Sequence, residues 1–271
     1  MQGDAVELEG RVAIVSGGGR GIGRGISLGL AEDGADVVVN YRKDADAAAE
    51  VVAQIERMGR RAVAIGASID NFEDCRRLVA ESVEAMGHLD ILVLNAGIAS
   101  RGQSVADSDP LEMERVVRTH AFGAWYLCHE AVPHLRTRER GDIVMISSVA
   151  TSSHGANGSP YNMGKAALEA LAFTLAKEER PHGIHVNIAA PGLVDTDMGQ
   201  RLAKAVAGVA DIRSLDAIMP FGRVCQPSDV ADVVRMFCSA KAGYLTGEKL
   251  NVWGGGQDWR NAGKDASGKD V

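Results

Sequence analysis

The sequence predicts a single α/β domain of the doubly wound class, in which helices cover both faces of a mainly parallel, seven-stranded sheet. Two observations predict this class. Short apolar runs alternate along the chain with stretches of helical length. Runs such as Val12–Val15 and Ile91–Leu94 are apolar at every position, as strands buried on both faces of a parallel sheet must be. No internal repeat or linker divides the 271 residues, which favours one domain.

The predicted elements follow in chain order. Strands are expected at residues 12–15, 36–40, 61–65, 91–94, 142–146 and 185–189, with a seventh at 250–253. Helices are expected at about 21–33, 44–58 and 73–86, where apolar residues recur at helical spacing. We expect the domain to cover residues 1–258, with a lid over the site at about 197–220 and a polar tail at 259–271.

Composition excludes several classes of function. Hydrophobic residues make up 46% of the chain, and the formal net charge of −7 argues against a broad surface for nucleic acid or an anionic membrane. The four cysteines are far apart and show no spacing typical of a metal site, which favours free thiols in a reducing compartment. Neither a signal peptide nor an apolar run of about 20 residues is present. We therefore expect a soluble, cytoplasmic protein with no metal site.

A glycine-rich segment lies between the first predicted strand and the first predicted helix. Glycines there let the backbone turn tightly and approach a pyrophosphate, whose charge the N-terminus of the helix attracts. A turn without a ligand is the alternative, but the flanking strand and helix are the context that dinucleotide binding requires. The residues expected to contact a dinucleotide here are Gly17, Gly19, Arg20, Gly21, Ile22 and Gly23.

The end of the second strand bears on the choice between NAD and NADP. A carboxylate there would bind the ribose hydroxyls of NAD and repel a 2′-phosphate. This chain has Asn40, Tyr41 and Arg42 instead, and Arg20 lies in the glycine loop. Two guanidiniums can hold a phosphate by charge-assisted hydrogen bonds, although both arginines could equally be solvated surface residues. We expect NADP to be preferred, with NAD possible.

Three polar residues later in the chain form a candidate acid–base set. Tyr161 and Lys165 are four residues apart, so on a helix they share a face. A neighbouring ammonium favours the phenolate and lowers a tyrosine pKa from its ordinary value of about 10. Ser148 precedes the tyrosine and can hold a substrate oxygen by a hydrogen bond. This set is suited to moving a proton on and off an alcohol or ketone oxygen, beside a hydride carrier held by the glycine loop.

Together these motifs resemble the short-chain dehydrogenase/reductase family, with a similarity that runs through about residues 8–258. The resemblance is specific because several motifs occur in the expected order and spacing. They are the glycine segment at 16–23, Leu94-Asn95-Ala96-Gly97, the set of Ser148, Tyr161 and Lys165, the segment Pro191-Gly192 followed by Thr196, and the residues at 245–247 and 254–255.

The resemblance implies a Rossmann-type fold and a role for each residue. Lys165 would bind the nicotinamide ribose and lower the pKa of Tyr161, which would exchange a proton with the substrate oxygen that Ser148 orients. Asn187 would help to fix the nicotinamide end. The further cofactor contacts that the resemblance implies are Ser68, Ile69, Asn95, Ala96, Gly97, Pro191, Gly192, Val194 and Thr196.

The chain departs from the family pattern at two positions. His120 stands where the family commonly has an asparagine that holds a water in a proton relay to the lysine. Histidine can also hold a water or carry a proton, so we count His120 among the catalytic residues; a packed helix residue is the alternative. Ser68 stands where an aspartate usually meets the adenine amino group, which puts adenine contact there in doubt.

The substrate is less well defined than the chemistry. Six apolar lid residues could line an apolar pocket or pack against the body: Leu202, Val206, Val209, Ile212, Leu215 and Ile218. No arginine or lysine is clearly aimed at an anionic group, which favours a neutral carbonyl or alcohol. We expect a ketone or 3-oxoacyl reductase, or the reverse dehydrogenase, and a sugar or steroid dehydrogenase is an alternative. A non-enzyme alternative is an NADP-binding sensor or scaffold.

The resemblance also implies an assembly. Family members of this kind form homotetramers, built here from helices near residues 105–135 and 160–180, with the C-terminal strand adding contacts. We expect no nucleic-acid or membrane partner.

Overall fold

The computed structural model describes residues 7–256. Within them, seven strands form one sheet in the order β3-β2-β1-β4-β5-β6-β7, and all neighbouring strands are parallel. The strands are β1 (Val12–Val15), β2 (Asp36–Tyr41), β3 (Ala62–Gly66), β4 (Ile91–Leu94), β5 (Gly141–Ile146), β6 (Ile184–Pro191) and β7 (Lys249–Val252). The predicted fold class is confirmed, while the predicted tail at 259–271 lies outside the described residues.

Helices cover both faces of the sheet. They are α1 (Gly21–Glu32), α2 (Ala45–Arg57), α3 (Phe72–Met86), α4 (Pro110–Val117), α5 (Gly123–Leu135), α6 (Ala150–Ser153), α7 (Ser159–Glu179), α8 (Asp197–Ala207) and α9 (Pro227–Cys238). A π-helical turn, Arg118–Phe122, joins α4 to α5. Short 3-10 turns at Arg180–His182, Ile212–Ile218, Pro220–Gly222 and Ala240–Ala242 complete the helical segments of the described chain.

Each face of the sheet has its own apolar core. Side chains of α3, α5 and α7, such as Leu127, pack on one face, and those of α1, α2 and α9, such as Ile26, pack on the other. Successive strand residues point to opposite faces, so Ile14 enters the first core and Val15 the second. The central strands β1 and β4 are buried on both faces, which is why they are apolar at every position.

The strand order places the site. β1 lies between β2 and β4, so the direction in which strands are added reverses at β1. At such a point the loops after neighbouring strands diverge and leave a crevice at the carboxyl edge of the sheet, where ligands bind in this class of fold. The glycine segment after β1 and the Asn95 loop after β4 both lie there.

The π-helical turn Arg118–Phe122 was not predicted from the sequence, because such turns are rare and short. The predicted lid region, 197–220, consists of α8 followed by 3-10 turns.

Among residues 7–256, no helix is both long enough and apolar enough to span a membrane.

Candidate active site

The loop after β1 is locked to the loop after β4 by two side chains. The Ser16 hydroxyl accepts hydrogen bonds from the Asn95 and Ala96 N–H groups at 3.0 and 3.1 Å. The Asn95 amide donates to the Ser16 carbonyl oxygen at 2.9 Å and to that of Gly17 at 3.2 Å. Asn95 and Ala96, predicted to contact the cofactor, therefore also hold the glycine loop in shape.

Glycine is required by geometry at two positions of this loop. Gly17 has φ +63°, in the left-handed region that side chains disfavour. A Cβ on Gly23 would lie 2.1 Å from the Gly17 carbonyl oxygen, so only glycine allows α1 to begin this close to the loop. α1 starts with no side-chain cap, since the N-cap residue Arg20 makes no capping hydrogen bond. Its first N–H groups therefore lack a side-chain acceptor, a favourable arrangement for a phosphate.

Asn40 has a different role from the ribose contact that the sequence suggested. Its side chain is buried, accepts a hydrogen bond from Gly17 N–H at 3.2 Å, and donates to the carbonyl oxygens of Ile65 and Ala67 at 3.1 and 3.2 Å. Asn40 thus fastens the glycine loop to the ends of β2 and β3. Its amide is committed to backbone groups, which leaves the ribose and phosphate to its neighbours.

Arg20 and Arg42 are the exposed cations at this end of the sheet. Within residues 7–256 neither guanidinium has a hydrogen bond or an ion pair, unlike the paired arginines elsewhere in the described chain. Tyr41 is half-buried with its ring against Gly66, where an added Cβ would lie 3.2 Å from the phenol. Both guanidiniums are therefore available to a ligand, and the Tyr41 ring packs against the end of β3.

Ser68 lies beside the carboxylate of Asp70, which the sequence motifs did not point to. Its hydroxyl donates to Asp70 Oδ1 at 2.6 Å, and its N–H donates to Asp74 Oδ2 at 2.9 Å. Asp70 is therefore a second candidate for the adenine amino group, two residues after the position where the family carries an aspartate. Ile69 is buried, and its carbonyl oxygen packs against Gly123 of α5.

Tyr161 lies within hydrogen-bond reach of Ser148, but its pKa shifts in the direction opposite to the one predicted. Burial raises the pKa of Tyr161 above its ordinary value, and a hydrogen bond with Ser148 offsets part of the rise. Lys165 does not supply the expected lowering, because its Nζ lies 5.9 Å from the phenol ring centroid and donates instead to the Ile146 carbonyl oxygen at 2.6 Å. In this structure Tyr161 is a neutral phenol near pH 7, which suits a proton donor.

Lys165 is a buried ammonium with a perturbed pKa. Burial lowers its pKa to about 8, and the negative charge of Glu169, one helical turn further along α7, raises it in part. An amine with a pKa near neutrality exchanges protons readily. Lys165 is therefore suited to pass protons as well as to hold a ribose by hydrogen bonds.

His120 lies in the π-helical turn, edge-on to the Tyr161 ring with centroids 5.2 Å apart. Its Nε2 faces the Ile98 backbone, 2.8 Å from the carbonyl oxygen and 3.3 Å from the N–H. The shorter contact favours the tautomer in which Nε2 carries the proton and donates to the carbonyl oxygen. Nδ1 is then an acceptor; it is buried and has no partner among the described residues. Burial and the nearby Lys165 charge lower the pKa of His120 to about 3, so the ring is neutral.

Two glycines make room for the His120 ring. A Cβ on Gly97 would lie 2.5 Å from its Cε1, and one on Gly164 would lie 3.0 Å from its Cβ. Gly97, predicted as a cofactor contact, thus also receives the ring, and Gly164 separates Tyr161 from Lys165 on α7. Neither packing role follows from the motif spacing alone.

The segment after β6 lies beside the same loop. Thr196 caps α8 by accepting a hydrogen bond from Gly199 N–H at 3.0 Å, and its methyl group would lie 3.3 Å from a Cβ on Gly21 of the glycine loop. Gly192 N–H donates to the Val252 carbonyl oxygen at 3.1 Å. Pro191 and Val194 flank it, both buried. The predicted nicotinamide segment therefore lies next to the predicted pyrophosphate loop.

Asn187 does not lie with these residues. Its amide donates to the Leu245 carbonyl oxygen and its Oδ1 accepts from Glu248 N–H, both at 3.0 Å. The side chain is buried and holds the chain that leads into β7. The implied contact with the nicotinamide is therefore replaced by a structural role.

The lid residues divide between packing and exposure. Ile212 is buried with Ala203 and Val224, and Val209 and Leu215 pack against that cluster. Leu202, Val206 and Ile218 are exposed to 54%, 80% and 43%. Only the second group, the exposed lid residues, is available to line a substrate pocket.

Comparisons with known proteins agree with this geometry. A family model described as short chain dehydrogenase matches residues 11–207. Versicolorin reductase 1 of Aspergillus parasiticus is 36% identical over 260 residues, covering 93% of this chain and 98% of the relative.

Solved structures show the same architecture. A short chain dehydrogenase from Burkholderia cenocepacia J2315 in complex with NADP superposes with a TM-score of 0.83 at 37% identity, covering 92% of this chain and 98% of the other. A 7α-hydroxysteroid dehydrogenase complexed with NADH and 7-oxo glycochenodeoxycholic acid superposes with a TM-score of 0.83 at 31% identity, covering 95% and 99%. One of these neighbours carries NADP and the other NADH.

Proposed function

The chain belongs to the short chain dehydrogenase family of oxidoreductases, and from that premise we propose that it reduces a neutral ketone with NADPH. The observation that carries the proposal is the meeting of Tyr161 with Ser148 at the edge of the sheet that also holds the glycine loop. A buried phenol whose pKa is raised holds its proton at neutral pH, which suits it to protonate a carbonyl oxygen during reduction.

The residues divide the work of the reaction. Ser148 donates a hydrogen bond to the carbonyl oxygen and orients it, and Tyr161 donates the proton that this oxygen needs. NADPH supplies the hydride to the carbonyl carbon when it is bound. Lys165 restores the proton of Tyr161, and the free Nδ1 of His120 accepts a hydrogen bond from a water in that relay. The ketone gains one hydride and one proton and becomes the neutral alcohol, so the charges balance.

Support for NADPH over NADH comes from the adenosine end. β2 ends without a carboxylate, and the free guanidiniums of Arg20 and Arg42 complement a 2′-phosphate. The pyrophosphate would lie on the loop formed by Gly17, Gly19, Gly21, Ile22 and Gly23. Ser68, together with Asp70, would meet the adenine.

The substrate we favour is an apolar cyclic ketone. The exposed lid residues Leu202, Val206 and Ile218 offer apolar surface beside the site. The relatives point the same way, since one is a versicolorin reductase and another structure contains a 7-oxo bile acid. A 3-oxoacyl thioester is the second candidate, since the same acid–base set serves it.

The test is an absorbance assay of NADPH and NADH oxidation with a panel of cyclic ketones, 3-oxoacyl thioesters and sugars. The proposal expects turnover of a cyclic ketone with NADPH and a lower kcat/KM with NADH. A sensor or scaffold would bind NADPH without turnover of any carbonyl. Preference for NADH would refute the role given to Arg20 and Arg42.

The assembly belongs to the same proposal. Phe122 of the π-helical turn, Trp125 on α5, and Met163 and Phe173 on α7 are between 39% and 52% exposed, apolar side chains that a homotetramer would bury. β7 is an edge strand of the sheet, which leaves it available for subunit contacts. All four cysteines are free thiols, as a cytoplasmic enzyme allows. Analytical ultracentrifugation tests the tetramer.

A further inference from the structure

A second polar cluster adjoins the catalytic residues. It consists of Glu169 on α7, Lys249 on β7, and Ser147 and Thr151 on either side of Ser148. The side chains of Glu169 and Lys249 are only 12% and 19% exposed, and Ser147 is buried. We call this group the Glu169 cluster.

One carboxylate oxygen holds the cluster together. Oε1 of Glu169 accepts a hydrogen bond from Ser147 Oγ at 2.5 Å and lies 2.8 Å from both Lys249 Nζ and Thr151 Oγ1. Lys249 Nζ also donates to Thr151 Oγ1 at 2.7 Å, and that hydroxyl lies 2.8 Å from the Ser148 carbonyl oxygen. The Glu169 carboxylate therefore holds the Ser148 turn on both sides, through Ser147 and Thr151. Lys249 on β7 holds the carboxylate in place.

Stability alone is a weak reason for this arrangement. Removing two charges from water costs free energy that their attraction offsets only in part, and well-packed apolar residues often serve a fold equally well. The Glu169 cluster lies beside Lys165, so the charge of the Glu169 carboxylate also acts on the Lys165 ammonium. Glu169 follows Lys165 by four residues, so the two side chains share a face of α7, and the carboxylate raises the pKa of Lys165 against burial.

We infer that Glu169 is a positioning residue for the reaction: its carboxylate fixes the Ser148 turn against α7 and keeps the Lys165 ammonium charged, while Lys249 fixes the carboxylate. The inference rests on the proposed function, because it assigns these contacts to carbonyl reduction. The inference adds Glu169 on α7 and Lys249 on β7 to the residues that serve the site at the carboxyl ends of the strands.

Removing the Glu169 carboxylate should lower the pKa of Lys165, because that carboxylate raises it. The groups that face Lys165 are Tyr161 and Glu169 from its own helix and His120 from the π-helical turn. Since His120 is neutral and Tyr161 a neutral phenol, Glu169 is the one negative charge acting on Lys165 among the described groups. Without it, Lys165 loses its proton at a lower pH. Without Lys249, the negative charge on Glu169 acts uncompensated, so Lys165 keeps its proton to a higher pH.

The experiment measures kcat/KM for NADPH-dependent ketone reduction from pH 6 to 10 in wild type, Glu169→Gln and Lys249→Met. We expect the alkaline limb of the Glu169→Gln profile to move to lower pH by about one pH unit, with a fall of roughly tenfold at pH 8.5. The limb of Lys249→Met should move to higher pH. Glu178→Gln, an exposed change on the same helix, is the control and should match wild type.

Opposite behaviour of the two variants separates positioning from mere packing. A structural role would lower thermal stability in both variants and leave the pH of the limb unchanged, and that result would overturn the inference. Movement of both limbs in the same direction would do so too. If Glu169→Gln fails to fold, Lys249→Met decides: a limb at higher pH supports the inference, and an unchanged limb or one at lower pH contradicts it. A wild-type protein that reduces no carbonyl would remove the proposed function itself, a result recognised before any variant is compared.

Discussion

The two ends of the parallel sheet differ in whether their charged and polar side chains have partners. At the amino end, Asp142 accepts hydrogen bonds from Arg11 at 2.7 Å and Arg140 at 2.9 Å, and Asp90 accepts from Arg138 at 2.7 Å. Both carboxylates are buried, and each is held by guanidiniums or backbone N–H groups. At this end both buried carboxylates are therefore fully engaged by partners among residues 7–256.

At the carboxyl end the polar groups are left partly free. His120 Nδ1 is buried without a partner, and Lys165 holds only one carbonyl oxygen in the described structure. Arg20 and Arg42 have no partner among residues 7–256. An unpaired buried polar atom costs stability, so its presence at one end alone indicates that this end is built for binding and proton transfer.

The largest effect that sharpens this comparison is expected for Tyr161→Phe. Loss of the phenol proton should lower kcat for ketone reduction by about 10²- to 10⁴-fold, the usual contribution of a general acid. NADPH binding, measured by fluorescence, should remain close to wild type. Tyr244→Phe, which alters a fully exposed tyrosine, is the matched control and should keep full activity. A Tyr161→Phe enzyme with wild-type kcat would assign the proton donor elsewhere.

Asp142→Ala tests the opposite end. Removing the carboxylate leaves Arg11 and Arg140 without their partner, and we expect the free energy of unfolding to fall by about 3–5 kcal/mol. Urea unfolding at pH 7 measures it, and kcat of the protein that remains folded should change little. The exposed Arg76–Glu73 pair provides the control, since Glu73→Ala should cost at most about 1 kcal/mol. A large loss of kcat with unchanged stability would contradict the division of roles between the two ends.

The free guanidiniums give the third prediction. Arg42→Ala should raise the KM for NADPH by about ten- to a hundredfold, the equivalent of one charge-assisted hydrogen bond, and leave the KM for NADH within about twofold. Steady-state assays with both nucleotides measure the change. Arg57→Ala on α2 removes an exposed guanidinium outside the site and should affect neither KM. Equal losses with NADPH and NADH would mean that Arg42 does not recognise the 2′-phosphate.

The fold could be predicted further from the sequence than the site could. Strands buried on both faces are apolar at every position, so their pattern is visible in the chain, and β1 and β4 were predicted at their observed bounds. The candidate catalytic pair, Tyr161 and Lys165, follows from one helical spacing, which the sequence also displays. These features are local, and local features survive folding unchanged.

What the sequence did not reveal depends on contacts between distant segments. Asn40 was expected to contact the cofactor, but its amide donates to the carbonyl oxygens of Ile65 in β3 and Ala67 just after it. The pKa of Tyr161 depends on burial and on where Lys165 donates, and helical spacing determines neither. Glu169 and Lys249 meet only because β7 joins the sheet beside β6.

The smallest expected effect on kcat is that of changing His120. Its unpaired Nδ1 allows a role in the proton relay to be told apart from a packing role. His120→Ala should lower kcat by about tenfold, the worth of one hydrogen bond. His120→Asn keeps a side-chain acceptor and should stay within about threefold of wild type. His182→Ala, an exposed histidine, is the control. Equal losses in the alanine and asparagine variants would favour a packing role.

The same residue predicts how stability depends on pH. The pKa of His120 is about 3 in the folded protein and about 6.5 in the unfolded chain. The unfolded state therefore binds more protons between these values, and stability is lost as the pH falls from about 6.5 toward 3. His120→Asn removes this contribution, so its free energy of unfolding should fall less steeply than that of wild type between pH 6.5 and 5 in urea titrations. Identical slopes would show that the folded ring takes up its proton over the same pH range as the unfolded one, so that burial does not lower its pKa.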